Sequence, residues 1–154
     1  MDRFDLALLD AVQRDDGRTA ESLARDIPLS PSAIARRLRR LRADGWVERT
    51  IALLSPRLTS KRLQALVRVQ LDHHSARPEL QRLRDRLAAD EAVQWAAEIS
   101  GGFDIALLVD QPDLDRFGEW AEDVLAASAA VRRYETSIVK RPLRFAPFVA
   151  LSSK

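Results

Sequence analysis

Ser30-Pro31-Ser32-Ala33-Ile34-Ala35-Arg36-Arg37-Leu38-Arg39-Arg40-Leu41-Arg42-Ala43-Asp44-Gly45 is the stretch on which the architecture turns. Ser30 offers a hydroxyl to a free N–H of a first helical turn, and Pro31 suits the first helical position because the N–H it lacks would be unpaired there. Gly45 supplies the stop. Between these signals Ile34, Leu38 and Leu41 recur at i, i+4 and i+7, the spacing of a stripe that must be buried. Arg36, Arg37, Arg39, Arg40 and Arg42 occupy the remaining faces, five guanidiniums within seven residues. Taken alone, such a run is a solvated basic face.

The residues before it give it a partner structure. Leu6, Leu9 and Val12, with Leu8 beside them, form a first helical pattern that ends at Asp16-Gly17. A short second helix opens near Thr19, turns Leu23, Ala24 and Ile27 inward and breaks at Pro28. Three helices with a tight connection between the second and third make a helix-turn-helix, whose third helix enters the major groove of duplex DNA. On that plan Ser32, Ala33 and Arg36 face base edges, while Arg37, Arg39 and Arg40 reach phosphates. Arg36 has the fork for guanine, and Ala33 suits a thymine methyl. After Gly45 the run Trp46 to Ile51 alternates and favours strands, so a small wing is expected.

The composition bounds the alternatives. With 154 residues, 46% hydrophobic and 31% charged, the chain has the makeup of a globular protein of one ordinary domain or two small ones. It has no cysteine, which excludes disulfides and thiolate chemistry. Nothing at the amino end reads as a signal peptide or a membrane span, so a cytoplasmic location is expected. Net charge is only +2. Residues 1–58 hold 11 Lys/Arg against 9 Asp/Glu and the remainder holds 14 against 14, so the case for DNA rests on clustering within one helix.

Leu54 to Ser60 interrupts the apolar pattern with serines and a proline. The expected domains are therefore 1–54, a linker over 55–62, and 63–154. In the second domain Leu66 to Leu71 reads as a strand and Pro78 to Ala89 as a helix with Leu80, Leu83 and Leu87 inward. Val93 to Ile99 and Phe103 to Val109 are strands around Ser100-Gly101-Gly102. A helix follows over Asp113 to Ala127, burying Leu114, Phe117, Ala121 and Val124, and a last strand over Arg132 to Lys140. The order βαββαβ predicts an α+β, ferredoxin-like sheet with helices on one face. Strand Phe103 to Val109 is apolar on both sides, so the uncovered face needs a partner, most simply a second copy in a face-to-face homodimer. Two reading helices related by a dyad then call for a pseudopalindromic site.

Several segments jointly resemble the Lrp/AsnC group, the leucine-responsive or feast/famine transcriptional regulators. They are Met1-Asp2-Arg3-Phe4-Asp5 with Leu8-Leu9, the Asp16-Gly17-Arg18 turn, Leu29-Ser30-Pro31 leading into Arg36 to Leu41, and Gly45-Trp46-Val47. Further along they are Ala52 to Pro56, Ser100-Gly101-Gly102-Phe103-Asp104, and Thr136. The resemblance implies a winged helix-turn-helix joined to an effector-binding domain that forms dimers and often octamers or other higher homo-oligomers. It also implies a small effector, commonly an amino acid, bound where effector domains of neighbouring dimers meet. Carried onto this chain, Ser100, Gly101, Gly102, Phe103 and Asp104 edge that site, with Thr136 nearby. Glycine backbone can approach a carboxylate, and Asp104 could receive an ammonium. Where the family has an acidic or amide residue before the aromatic, this chain has Gly102, and its loop Gln13 to Arg18 is one residue longer.

No catalytic residue, metal site or cofactor is expected. His73 and His74 are adjacent and point apart in an extended segment, which does not converge on a metal. Trp46, Trp95 and Trp120 read as packing residues of the wing, the sheet and a helix edge. Two alternatives to an effector-responsive regulator stand. One is an architectural DNA-binding protein with no effector. The other is an enzyme like the siroheme decarboxylases, which share the two-part plan but carry histidines that the strand Val93 to Ile99 lacks.

Overall fold

The structure, a computed structural model, describes residues Met1 to Leu151. It divides into two compact units, one made of residues 1–53 together with residues 144–151, the other of residues 54–143. The sequence reading placed the carboxyl-terminal segment with the second domain; the contacts group it with the first.

In the first unit, α1 (Arg3–Val12) opens on a reciprocal cap. The Asp2 carboxylate accepts the N–H groups of Phe4 and Asp5, both at 2.9 Å, and the Asp5 carboxylate accepts the Asp2 N–H at 3.0 Å. The second helix, α2 (Ala20–Leu23), is capped by Thr19 and is shorter than the sequence suggests. Its last turn loosens into bends before Pro28, although Leu23 and Ile27 are both buried as expected. Then α3 (Pro31–Ala43) begins where Ser30 Oγ accepts the Ala33 N–H at 3.3 Å. It ends in a paired stop: the Gly45 N–H reaches Arg42 O at 3.1 Å and the Trp46 N–H reaches Leu41 O at 3.0 Å. That geometry needs φ +76° at Gly45, which glycine adopts without a Cβ penalty. Leu8, Leu9, Val12, Leu23, Ile27, Ile34, Leu38 and Leu41 close one core.

The wing differs from expectation. Residues 46–54 form no strand ladder, because no second strand is available to pair with them. Val47 packs on the core and the Thr50 hydroxyl donates to Asp16 at 2.9 Å, which anchors the segment without a sheet.

In the second unit a single turn, α4 (Pro56–Thr59), occupies the expected linker. Four strands follow: β1 (Leu63–Leu71), β2 (Val93–Glu98), β3 (Ile105–Gln111) and β4 (Val131–Ile138). All pairings are antiparallel in the order β2-β3-β1-β4, which puts β1 and β3 in the centre. α5 (Arg77–Ala89) and α6 (Leu114–Ala121) cover one face. Val67, Val69, Leu83, Leu87, Leu107, Val109, Phe117 and Trp120 lie in that core. The Trp120 indole N–H is satisfied by Asp90 at 2.8 Å.

Two details depart from the sequence reading. Leu114, expected inward, is 62% exposed as the first residue of α6, whose buried residues are Phe117, Trp120 and Ala121. After Ala121 the helix widens into a π turn over Glu122–Ala126, and the shifted phase buries both Val124 and Leu125. Among the described residues no element covers the opposite face of the sheet. Across it Leu66 pairs with Leu108 and Leu108 with Trp95, a row in which Leu66 is 40% and Trp95 51% exposed. Among the described residues no helix is long and apolar enough to cross a membrane.

Candidate nucleic-acid interface and effector site

The five arginines of α3 divide by helical phase. Ser32, Arg36 and Arg39 are spaced i, i+4 and i+7 and share one outward face. All three are exposed, and neither Arg36 nor Arg39 has an ion-pair or hydrogen-bond partner among the described residues. Ala33, half-buried, borders that face. Ser32 Oγ lies 3.1 Å from Ser30 Oγ, beside the helix cap.

Arg37 and Arg40 lie on the flank facing α1. Arg37 Nη1 donates to Asp5 Oδ1 at 2.7 Å and to Asp2 Oδ2 at 2.8 Å, and its side chain is only 23% exposed. Arg40 Nη2 donates to both Asp5 oxygens at 2.9 Å. Arg42 pairs with Asp16, the residue that also holds Thr50. Asp5 itself is 2% exposed, the one buried charged residue among those described. Burial opposes its ionisation, but the Asp2 N–H and the two guanidiniums outweigh that and hold its carboxyl below the usual aspartate value. The hydrogen bond from the Asp5 N–H does the same for Asp2, and the two carboxylates in turn hold Arg37 above its ordinary value.

Asp2 and Asp5 were absent from the site read in the sequence. The signal was present, since Asp5 falls in phase with Leu8, Leu9 and Val12 on the buried stripe of α1. A carboxylate there requires a cation from another element. Which cation it would be depended on how α1 packs against α3.

The second candidate site gathers at the loop between β2 and β3. Gly101 has φ +134°, open to glycine and strained for other residues, while Gly102 does not. Ser100, Gly101 and Gly102 are exposed. Asp104 is tied into the sheet, with its N–H on Val69 O at 2.9 Å and its Oδ2 accepting the Leu71 N–H at 2.8 Å. Two guanidiniums lie over the Phe103 ring, Arg68 at 4.7 Å and Arg133 at 5.1 Å from its centroid. Glu135 bridges the same pair, to Arg68 at 2.8 Å and Arg133 at 3.1 Å. Arg68, Arg133 and Glu135 did not figure in the sequence reading, although the alternation of β1 and β4 sets them on the uncovered face.

Thr136 stands apart from Phe103 within one chain. It pairs with Val67, a residue of the helix-covered face, whereas Arg68 and the ring of Phe103 belong to the other side. Being on edge strand β4, Thr136 is nonetheless exposed. His73 and His74 belong to no group of three or more potential metal ligands among the described residues.

Comparison with known proteins agrees with this two-part plan. The family model for the Lrp/AsnC ligand binding domain matches residues 64–145, and that for a winged helix-turn-helix DNA-binding domain matches residues 1–48. The HTH-type transcriptional regulator y4tD of Sinorhizobium fredii is 30% identical over 90% of this chain and 82% of its own length. The leucine-responsive regulatory protein of Escherichia coli is 25% identical over 94% and 87%. Among solved structures, a transcriptional regulator of Neisseria meningitidis in complex with L-Met superposes with a TM-score of 0.85. It is 26% identical and is matched over 96% of this chain and 94% of that one. With a capped basic helix in one unit and the βαββαβ sheet with its glycine turn in the other, the chain belongs to the Lrp/AsnC family of DNA-binding, ligand-responsive transcriptional regulators.

Proposed function

We propose that α3 enters the major groove with Ser32, Ala33 and Arg36 against base edges and Arg39 on phosphate. Arg37 and Arg40 add to the phosphate contacts from positions held by Asp2 and Asp5, using the guanidinium N–H groups the carboxylates leave over. The observation that carries this reading is the unpaired outward face of Arg36 and Arg39 beside paired Arg37 and Arg40. Packing against α1 holds Arg37 and Arg40, and it leaves Arg36 and Arg39 turned outward without a partner among the described residues. Two chains meeting through the Leu66, Leu108 and Trp95 row would present two such helices to a pseudopalindromic site. Larger homo-oligomers, octamers among them, would build on that dimer. Work on genomic DNA implies a cytoplasmic protein.

The effector we infer to be an amino acid or a related metabolite. The exposed backbone of Ser100, Gly101 and Gly102 is suited to a carboxylate, and Asp104 retains Oδ1 for an ammonium. Phe103 and its two guanidiniums form the adjoining wall. Thr136 would join the site from a neighbouring copy, since its own chain holds it on the other side of the sheet. The Neisseria relative, bound to L-Met, supports this ligand class. The effector acts by binding one assembly better than another and so changing how the reading helices are presented.

Thermal unfolding against a panel of the common amino acids, followed by duplex binding with and without the stabilising compound, tests this reading. One compound that raises the midpoint and alters DNA affinity is expected. Stabilisation by none would favour a purely architectural DNA-binding protein.

A further inference from the structure

Beyond β4 the chain turns back. Residues 144–151 group with the first unit, and Phe148, Val149 and Leu151 contact the end of α1 on the side away from the buried stripe. The contacts are specific. Gln13 pairs with both backbone groups of one residue: its Oε1 accepts the Val149 N–H at 3.0 Å and its Nε2 donates to the Val149 carbonyl. The Leu151 N–H donates to Asp10 Oδ1 at 3.0 Å, and the same oxygen accepts Gln13 Nε2 at 2.8 Å, which orients the amide. The Arg14 guanidinium lies over the Phe148 ring, 4.1 Å from its centroid.

Asp10, Gln13 and Arg14 are spaced i, i+3 and i+4, so they form one patch at the carboxyl-terminal end of α1. A side-chain amide that both donates to and accepts from the backbone of one residue does what a neighbouring strand does. It recognises extended backbone, while the stacked ring adds side-chain selectivity. None of these three residues contributes to the helix core.

We propose that this patch of α1 is a docking surface for an extended peptide with an aromatic residue, and that its occupant is the chain's own carboxyl-terminal segment around Phe148, Val149 and Leu151. The segment works as a strap. The polypeptide leaves the DNA-binding unit at Leu53 and returns at Arg144, so the effector-binding unit is tethered to it at both ends. Only residues 139–143 separate the end of β4 from the strap. The docking is independent of the effector reading and of the bases contacted.

Two measurements on the full-length protein test it. The first places the photoreactive p-benzoylphenylalanine at position 148, followed by irradiation, denaturing electrophoresis and peptide mapping. The expected product runs as a monomer and joins position 148 to the peptide holding Asp10 to Arg14. The same link in a dimer band would mean that a second copy supplies the strap, and absence of any link to α1 would mean there is no docking; either result overturns the proposal. The second is amide hydrogen exchange. Val149 and Leu151 are expected to exchange about tenfold or more slowly than in a free peptide of the same sequence. Gln13→Ala should release Val149 while leaving Val67 and Leu107 in the central strands unchanged. Free-peptide rates in the wild type, or a Val149 rate indifferent to Gln13→Ala, would refute the clasp.

Discussion

Arg37 Nη1 sits 2.7 Å from Asp5 Oδ1, an ion pair that joins the middle of α3 to the first turn of α1 across 32 residues of sequence. Arg40 closes on both oxygens of the same carboxylate. Asp5 is therefore at once part of the α1 cap, the charge within a hydrophobic stripe, and the group that fixes two of the five arginines. Replacing it separates these roles from the free arginines. Asp5→Asn should lower the stability of the DNA-binding unit by about 1–3 kcal/mol, as expected when buried hydrogen bonds to charged groups are lost. It should also raise affinity for non-specific duplex, because Arg37 and Arg40 are released. Urea unfolding and a titration with random-sequence DNA measure the two effects; a drop in both stability and non-specific affinity would contradict the division of labour.

The same carboxylate gives a pH dependence of known sign. Asp5 titrates below its ordinary value of 3.8 in the folded chain, so near that pH the unfolded state binds more protons than the folded one. Its contribution is fully present above 3.8 and is lost as pH falls through the lower folded value. The difference in thermal midpoint between wild type and Asp5→Asn should accordingly be constant at neutral pH and shrink below pH 3.8. A gap that widened in acid would reverse the assignment.

The outward face of α3 predicts distinct responses to alanine. Arg36→Ala should relax base preference at one position of each half-site, by about tenfold in the ratio of specific to non-specific binding. Arg39→Ala and Arg40→Ala should weaken all sequences alike. The slope of log affinity against log salt should fall by about 0.9 per lost phosphate contact. The fall should be larger for Arg39, whose whole fork is free, than for Arg40. Binding isotherms at several salt concentrations separate these outcomes.

At the glycine turn two neighbours should behave differently. Gly101→Val forces a side chain onto φ +134°, at a cost of about 1–3 kcal/mol. It should abolish stabilisation by the effector while leaving binding to non-specific duplex intact. Gly102→Asn meets open space and no such φ, so stability should stay within about 0.5 kcal/mol, and any change should be in which amino acid is preferred. Thermal shift with each variant reads both.

Leu108 lies at the centre of the uncovered apolar row. Leu108→Asp should leave the fold intact, since the helix-covered core is on the other side, but shift sedimentation toward smaller species. Affinity for a two-half-site duplex should then fall far more than for a single half-site. An unchanged sedimentation coefficient would exclude this face as the dimer surface.

Much of this was legible locally. The Ser30-Pro31 start, the Gly45 stop and the spacing of Ile34, Leu38 and Leu41 depend on residues within one or two turns, and α3 follows them closely. The strands were legible too, because short apolar runs on either side of the turn Ser100-Gly101-Gly102 are a short-range pattern. What failed was of another kind. The run Trp46 to Ile51 has strand propensity but no partner to pair with, and Leu114 has helical phase but stands exposed at the first position of α6.

The sequence by itself determined the elements, their order, and the face of each that must be buried, because capping, periodicity and turn chemistry act between near neighbours. Only the tertiary structure decided which arginines are free and which are held by Asp2 and Asp5. It alone set Phe103 and Thr136 on opposite sides of one sheet and brought Val149 to Gln13. Those relationships join residues far apart in the chain, and their energies come from packing geometry that no local pattern encodes.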